Sequence, residues 1–476
     1  MRPRPLPYLF CLIALGFVFS GCEPERRFAW SPEGERALAR WEHQLRLVDG
    51  EGRVLSEFPA LDDDPGRLIV SGFDWGPEGK DFVVNRLRVV KNWSDASRLL
   101  PDDEARSVET LAGHLPELLR ATVSVRGGAF DLQELISFLE PSEGERAIAA
   151  MGLAWARDPD AIVEALAGAG KALEELRSID EEDEPGFLIH ELATVALSED
   201  RTAFENLAIL SRSLRGFQRP RCSPDGSFVA VGRTCHGREA VDLVVVDRAS
   251  GKFHAVAEGV TTAYDWTPDG RGLVCLSPLM EEENGKLMRL RRLPIPGAGG
   301  EKSDPRNLAV AFVPFVPRVE VLASGEVLFA GQPLDLPYDG EAEPRETPRL
   351  FTVPLDGGGI REVETEPGAL PMDLGYFVPS PDGKRIAVVE SQTDALAVID
   401  LETGDSQLVS SPHRHWKCRA LPAWKNNAEL TYAALDPEKK TITWMRWGGG
   451  EASSLSKDWP PEATANWLRF EEPSTD

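Results

Sequence analysis

Phe377-Val378-Pro379-Ser380-Pro381-Asp382-Gly383 leads into the apolar run Ile386 to Val389. The same phrase occurs without gaps as Phe28-Ala29-Trp30-Ser31-Pro32-Glu33-Gly34, Phe73-Asp74-Trp75-Gly76-Pro77-Glu78-Gly79 and Tyr264-Asp265-Trp266-Thr267-Pro268-Asp269-Gly270. A fifth copy is Pro220-Arg221-Cys222-Ser223-Pro224-Asp225-Gly226, ahead of Phe228 to Val231. The chemistry is that of a chain reversal. Proline presets φ at the first central position of a turn, Asp or Glu suits the second, and glycine supplies the positive φ that closes a bulged hairpin. The aromatic residue ahead of each turn belongs to an incoming strand, where burial between packed sheets is its expected role.

The spacing of these turns sets the architecture. Their glycines fall at 34, 79, 226, 270 and 383, with weaker turns at Gly325 and Asn427, so the intervals are 45, 147, 44, 55, 58 and 44 residues. One four-stranded propeller blade takes about 40 to 50 residues. Third and fourth strands follow the hairpins, as in Val241 to Asp247 with Phe253 to Ala257, and Ala395 to Asp400 with Ser406 to Val409. The expected fold is therefore all-β, a β-propeller of four-stranded blades. Seven blades are favoured, with six as the alternative because the units at Gly325 and Asn427 rest on pattern alone.

The repeated aromatic-x-x-Ser-Pro-Asp-Gly phrase resembles the TolB-type, WD-like β-propellers of bacteria over most of residues 28 to 450. The resemblance implies a propeller at the cell envelope. It does not imply one activity, because the family holds periplasmic scaffolds as well as the propeller halves of peptidases. The separate N-terminal domain usual in that family has no counterpart here, so its Tol-system partners are not carried over.

The 147-residue interval exceeds a 45-residue blade by 102 residues, which marks an insertion. Residues 101–213 read as helical, most clearly on the face formed by Ala161, Ile162, Ala165, Leu166, Ala169, Leu173 and Leu176 behind the cap Asp158-Pro159. Leu132 to Leu139, Glu143 to Ala156, Phe187 to Leu197 and Thr202 to Leu214 are further helix expectations, and Thr122 to Arg126 reads as a short strand. The segment holds 24 acidic and 9 basic residues, a net −15. Its run Asp180-Glu181-Glu182-Asp183-Glu184 reads as a solvated loop.

The N-terminus has the form of an export signal. Arg2 and Arg4 precede a continuous apolar run from Leu9 to Phe19, which is too short to span a bilayer comfortably, and small residues Ser20 and Gly21 precede Cys22. Phe19-Ser20-Gly21-Cys22 resembles the lipobox of bacterial lipoproteins, with Phe19 in place of the usual Leu. That resemblance implies cleavage after residue 21 and acylation of Cys22. The expected organisation is then a signal peptide at 1–21, a short lipid tether at 22–27, blades 1 and 2 in 28–100, the acidic helical insertion at 101–213, and the remaining blades with a C-terminal segment in 214–476.

The chain of 476 residues carries 52 Lys and Arg against 78 Asp and Glu, a net −26, which excludes a generic nucleic-acid binder. Cys222, Cys235, Cys275 and Cys418 are too few in so long a chain for a disulfide scaffold, and their pairing stays open. No Gly-x-Ser-x-Gly elbow occurs, and little sequence follows the last repeat for an appended peptidase domain. His190-Glu191 lacks the second histidine of a zinc protease, since Thr194 stands there. His413, His415 and Cys418 have ligand spacing, but the interleaved Arg414 and Lys417 disfavour a metal. Asp62-Asp63-Asp64 lacks the alternation of a calcium loop. No cofactor, metal or catalytic residue is therefore expected. The reading is a lipid-anchored, non-catalytic binding or scaffolding propeller, with a membrane contact through Cys22 and a protein partner at a propeller face or the insertion. The alternative is an envelope enzyme, carbohydrate-active or peptidase-like, with acids in the central channel. Asp74 and Asp265, aligned beside the motif tryptophans, are its first candidates.

Overall fold

The computed structural model describes residues 26–41, 44–58, 68–90, 98–102, 105, 187–213, 215–234, 240–282, 285–295, 305–313, 317–334, 349–363, 377–389, 396–409, 420–436, 441–456 and 459. Blade 1 is built from β1 (Phe28–Trp30), β2 (Arg36–Trp41), β3 (Gln44–Asp49) and β4 (Val54–Glu57). Blade 2 holds β5 (Leu68–Trp75), β6 (Asp81–Val90), β7 (Phe187–Leu197) and β8 (Phe204–Ser213), and blade 3 holds β9 (Phe217–Cys222), β10 (Phe228–Thr234), β11 (Val241–Asp247) and β12 (Phe253–Val260). Blade 4 follows with β13 (Tyr264–Trp266), β14 (Gly272–Glu282), β15 (Gly285–Pro294) and β16 (Arg306–Val313), and blade 5 with β17 (Val319–Val321), β18 (Glu326–Pro333), β19 (Arg349–Pro354) and β20 (Arg361–Glu362). Blade 6 comprises β21 (Phe377–Pro379), β22 (Arg385–Val389), β23 (Leu396–Asp400) and β24 (Ser406–Leu408). Blade 7 comprises β25 (Ala423–Trp424), β26 (Leu430–Asp436), β27 (Thr441–Trp447) and β28 (Ser453–Ser454).

Five of these units are separate four-stranded sheets, and blades 4 and 5 form one eight-stranded sheet. That sheet is joined only where Ala311 and Phe312 of β16 face Pro333 and Gln332 of β18. It therefore divides into two blades, which makes seven among the described residues.

The turn phrase behaves as its chemistry requires. Gly34, Gly79, Gly226, Gly270, Gly325 and Gly383 all have φ between 62° and 82°. At Thr267-Pro268-Asp269-Gly270, the Gly270 amide donates to Thr267 O at 2.9 Å. Asp269 Oδ1 accepts from Thr267 Oγ1 at 2.6 Å and from the Arg271 amide at 3.0 Å. In blade 7 the phrase is replaced by an Asx turn, with Asn426 Oδ1 accepting from the amides of Ala428 at 2.7 Å and Glu429 at 2.9 Å.

Apolar burial between blades closes the ring. Successive blades share buried clusters all the way round: Leu47 with Phe82, Val83 with Val229, Val245 with Leu273, Leu290 with Val327, Leu328 with Ile386, Val398 with Leu430, and finally Trp444 of blade 7 with Phe28 of blade 1. The motif tryptophans are buried in these clusters, and their indole N–H groups tie neighbouring inner strands together. Trp75 donates to Ala29 O at 2.9 Å, Trp266 to Arg221 O at 3.0 Å and Trp424 to Val378 O at 3.0 Å. Closure uses its own variants: Trp30 donates to Thr431 Oγ1 at 2.9 Å and Trp459 to Gly52 O at 2.6 Å.

The structure corrects the expected insertion. Phe187–Leu197 and Phe204–Ser213 are not helices but β7 and β8, which complete blade 2. Blades 1 and 2 therefore do not end by residue 100. Ala193, Val195 and Leu197 pack toward blade 1 while Leu192 packs toward blade 3, so the strand is apolar on both faces and loses the alternation that distinguishes it from a buried helix. The chain leaves blade 2 at Val90 and re-enters at Phe187. The other helix expectations and the strand at 122–126 lie outside the described residues, as does the signal segment with Cys22.

Candidate axial site

The first strands of successive blades lie against one another, as β1 does with β5 and β25, β5 with β9, and β13 with β17. They form the inner wall of the ring. The middle residues Asp74 and Asp265 of the repeat phrase reach the inner strand of the following blade, accepting from Cys222 N and Val321 N. In blades 6, 7 and 1 the middle residue is Val378, Ala423 and Ala29; in blades 2 to 5 it is Asp74, Arg221, Asp265 and Glu320. One arc of the wall is small and apolar and the other is charged.

Arg221 is the hub of the charged arc. Its Nη2 lies 2.7 Å from Asp265 Oδ1 and 3.6 Å from Glu320 Oε2, and its Nε lies 4.0 Å from Asp74 Oδ2. Residues at the entrances to inner strands add three more cations: Arg26 pairs with Asp74, while Arg318 and Arg219 reach Glu320 Oε1 at 2.7 and 3.1 Å. Backbone amides take further carboxylate oxygens, with Cys222 N donating to Asp74 Oδ2 at 3.0 Å and Val321 N to Asp265 Oδ2 at 2.9 Å. Every carboxylate oxygen of the three acids thus faces an N–H group.

Arg219 is placed by a strained backbone. Its φ is 48°, and the β9–β10 register slips between Ala230 and Gly232, so a bulge carries Arg219 and Pro220. The Tyr264 hydroxyl braces that bulge by donating to Gln218 O at 2.8 Å and accepting from Gly232 N at 2.9 Å. One guanidinium nitrogen of Arg219 donates to Thr262 O at 3.0 Å, which fixes the side chain against blade 4.

Burial and charge set the protonation states. Burial pushes the Glu320 carboxyl up, but Arg318, Arg221 and Arg219 together pull it down to about 2. Burial raises Asp265 above the usual range despite the opposing pull of Arg221, with Glu320 adding to the rise. Burial lowers Arg318 to about 10. Arg221 moves the other way, because Asp265, Glu320 and Asp74 outweigh the cost of its burial.

Of the two acids singled out from sequence, both Asp74 and Asp265 lie in this cluster and face the same Arg221. Sequence reasoning missed Arg221 and Glu320, although they occupy the same aligned position, in Pro220-Arg221-Cys222 and Val319-Glu320-Val321. Arg26, Arg219 and Arg318 lie just ahead of the phrase and had no repeat signal. Glu191 is fully buried in blade 2 among Arg86, Arg88 and Arg212, at 2.6, 3.0 and 2.8 Å, an arrangement that ties β6, β7 and β8 together. His413, His415, Cys418 and Asp62 to Asp64 lie outside the described residues, and no group of three or more metal-ligating side chains occurs among the described ones. Cys222 and Cys275 are free thiols, whereas Cys235 and Cys418 lie outside the described residues.

No family model and no curated protein matches the chain. Among solved structures it is similar to TolB from Acinetobacter baumannii at 13% identity, covering 55% of this chain and 61% of that one, with a TM-score of 0.37. The match therefore spans about three-fifths of that TolB. Hydrazine synthase of Kuenenia stuttgartiensis gives 12% identity, 90% and 97% coverage and a TM-score of 0.45. The acylaminoacyl peptidase of Pyrococcus horikoshii gives 14% identity, 56% and 41% coverage and a TM-score of 0.38. None of the three reaches the similarity at which a function could be carried across.

Proposed function

We propose that this chain is a non-catalytic binding or scaffolding propeller of the bacterial cell envelope, held to a membrane, the outer one in our reading, by acyl chains on Cys22. The observation that supports the non-catalytic reading is the saturation of the axial acids. Asp74 and Asp265 accept N–H groups at both oxygens and Glu320 at Oε1, while Glu320 Oε2 lies 3.6 Å from Arg221 Nη2. A general base needs a lone pair within reach of the proton it removes, and a nucleophile needs such a base beside it. The cluster instead joins blades 2 to 5, making the inner wall a stiff platform whose faces can hold a partner. The anchor follows from acyl-chain burial, at about 0.8 kcal/mol per CH₂, because two or more chains hold a protein on a membrane where one is marginal.

Crosslinked capture from the native cells tests this reading, using the parent chain, Cys22→Ser, and a deletion of residues 91–186 that spares β7 and β8. Membrane association is expected to vanish in Cys22→Ser, and one protein partner to be recovered with the parent. A Cys22→Ser chain that stays membrane-bound refutes the anchor; the absence of any recovered partner refutes the scaffold.

One observation favours the enzyme alternative: Asp265 is a buried axial acid whose proton affinity is raised. If it acts as a general acid, Asp265→Asn abolishes turnover of an envelope glycan or peptide while near-ultraviolet circular dichroism is preserved.

A further inference from the structure

We propose that the ring stands upright on a lipid bilayer: the face on which the inner strands begin meets the lipid, with Leu279 and Leu408 against it, and the face of hairpin turns is left free for a protein partner. This deepens the anchored binding-module reading and rests on it. The length of the tether and the place where it starts decide the face. Arg27 is fixed to blade 1, because its carbonyl accepts from the Arg40 amide at 2.7 Å, and Arg26 pairs with Asp74 in the axial cluster. Cys22 stands five residues ahead of Arg27, which is about 17 to 18 Å when fully extended. The turn at Gly34 lies on the other side of the ring, because β1 and β2 run away from Arg27 to their reversal between Ser31 and Arg36. To reach that side, a lipid on Cys22 would first cross the blade, three strand spacings or about 14 Å, and then follow the length of β2, about 20 Å. The tether covers about half of that path, so the acyl chains leave from the strand-entry face, from a root beside the axis.

Apolar exposure agrees with this face. Among the described residues three large apolar side chains are exposed, and two of them lie on the entry side, Leu279 at 38% and Leu408 at 55%. Val54, the third, opens β4 on the turn side. Leu279 is the extra residue of a bulge between Pro278↔Met288 and Met280↔Leu287. It stands beyond the Tyr264↔Cys275 pair at which β13 begins, so it projects about 10 to 13 Å past the start of that inner strand. Leu408 pairs with Ala397 at the entry end of blade 6, in a strand that is exposed throughout. Single exposed leucines are ordinary on a protein surface, so the tether selects the face and the leucines are what lipid covers on it. Blades 1, 4 and 6 are spread around the ring, which gives the tether and the two leucines three separate supports on one plane. Val90 and Phe187, where the chain leaves and re-enters blade 2, lie on the same side.

The test places the lipidated full chain, extracted from its native membranes, in phosphatidylcholine vesicles that carry a phospholipid with a photoreactive diazirine in its headgroup. Zwitterionic lipid keeps the net charge of −26 from deciding the orientation. After irradiation, adducts are mapped by mass spectrometry. Peptides holding Leu279 and Leu408 are expected to carry roughly tenfold more adduct than those holding Pro32 to Gly34, Pro224 to Gly226 and Pro268 to Gly270, because the turns stand farther from the lipid by the height of a blade, about 20 Å. Inserting about twelve Gly and Ser residues between Pro24 and Glu25 keeps the anchor, roughly triples the extended reach, and is expected to bring that ratio toward one. With the diazirine moved into the acyl chain, Leu279→Ser combined with Leu408→Ser is expected to lose most of the entry-face adducts. Adducts concentrated on the turn peptides, equal labelling of both faces with the native tether, a ratio unmoved by the longer tether, or acyl-chain labelling unchanged by the leucine substitutions overturns the inference. A parent chain that does not stay on the vesicles removes the anchor and this inference with it, whereas a vesicle-bound chain labelled on the wrong face overturns the orientation alone.

Discussion

Replacing Glu320 with Gln keeps the shape of the side chain and removes the charge that three arginines share. Glu320 titrates near 2 in the folded chain against a reference of 4.5. The depression means that the ionised form stabilises the fold at neutral pH. Breaking a buried ion pair from one side costs about 3 to 5 kcal/mol, because the stranded cations stay buried. With a urea dependence of about 3 kcal/mol/M, the unfolding midpoint of Glu320→Gln should fall by about 1 M at pH 7. The pH dependence has a definite sign. A carboxyl whose folded value is depressed stabilises above its unfolded value and loses that contribution as pH falls, here between about 4.5 and 2. The gap between parent and variant should therefore close across that window. Asp265 works in the opposite direction, since a raised acid stabilises the fold only as it takes up its proton. Adding Arg318→Met to Glu320→Gln should recover part of the loss. A midpoint shift under about 0.3 M at pH 7, or a gap unchanged at pH 2.5, would refute the assignment of Glu320 as the counter-ion of this cluster.

Ring closure gives two more expectations. Thr431→Val strands the buried Trp30 indole N–H and should cost about 1 to 3 kcal/mol in urea unfolding; no loss would show that Trp30 finds another acceptor. Gly52 has a φ of 84°, and an added Cβ would meet Leu455 O at 2.1 Å, whereas Gly325 at 82° meets nothing within 4 Å. Gly325→Ala should therefore cost only the left-handed penalty of about 1 to 2 kcal/mol, and Gly52→Ala clearly more, as read from melting temperatures. The Cys275 thiol should be inert, because it is fully buried and burial pushes it up to about 11, whereas half-buried Cys222 is also pushed up. Maleimide labelling at pH 7.5, mapped by mass spectrometry, should not reach Cys275 until urea unfolds the ring, and rapid native labelling there would contradict its burial.

The hairpin phrase made the blades legible because a turn imposes its residues locally: only certain types satisfy a positive φ and the hydrogen bonds of a Ser-Pro-Asp-Gly reversal. The seventh unit shows how little of that phrase is needed, since Trp424 keeps its indole bond to blade 6 although an Asx turn at Asn426 stands where blades 3, 4 and 6 have Pro-Asp-Gly. Local rules fail where packing decides. β7 reads as helix because both of its faces are buried, and its pairing with β6 from Asp81↔Ala196 to Val90↔Phe187 and with β8 from His190↔Ser213 to Leu197↔Phe204 makes it a strand. The axial cluster falls between these cases. Its middle residues stand at a fixed place in every repeat, so Asp74, Arg221, Asp265 and Glu320 could be aligned as four successive charged positions, three acids and one arginine. What no repeat could disclose is Arg219, whose approach to Glu320 depends on a bulge braced by a tyrosine of the next blade. A conformation that must be held by a neighbouring blade has no local signature. The part of the inner wall that departs from the repeat is therefore Arg219 with its bulge, a placement fixed by packing between blades and not by the repeated geometry of the turns.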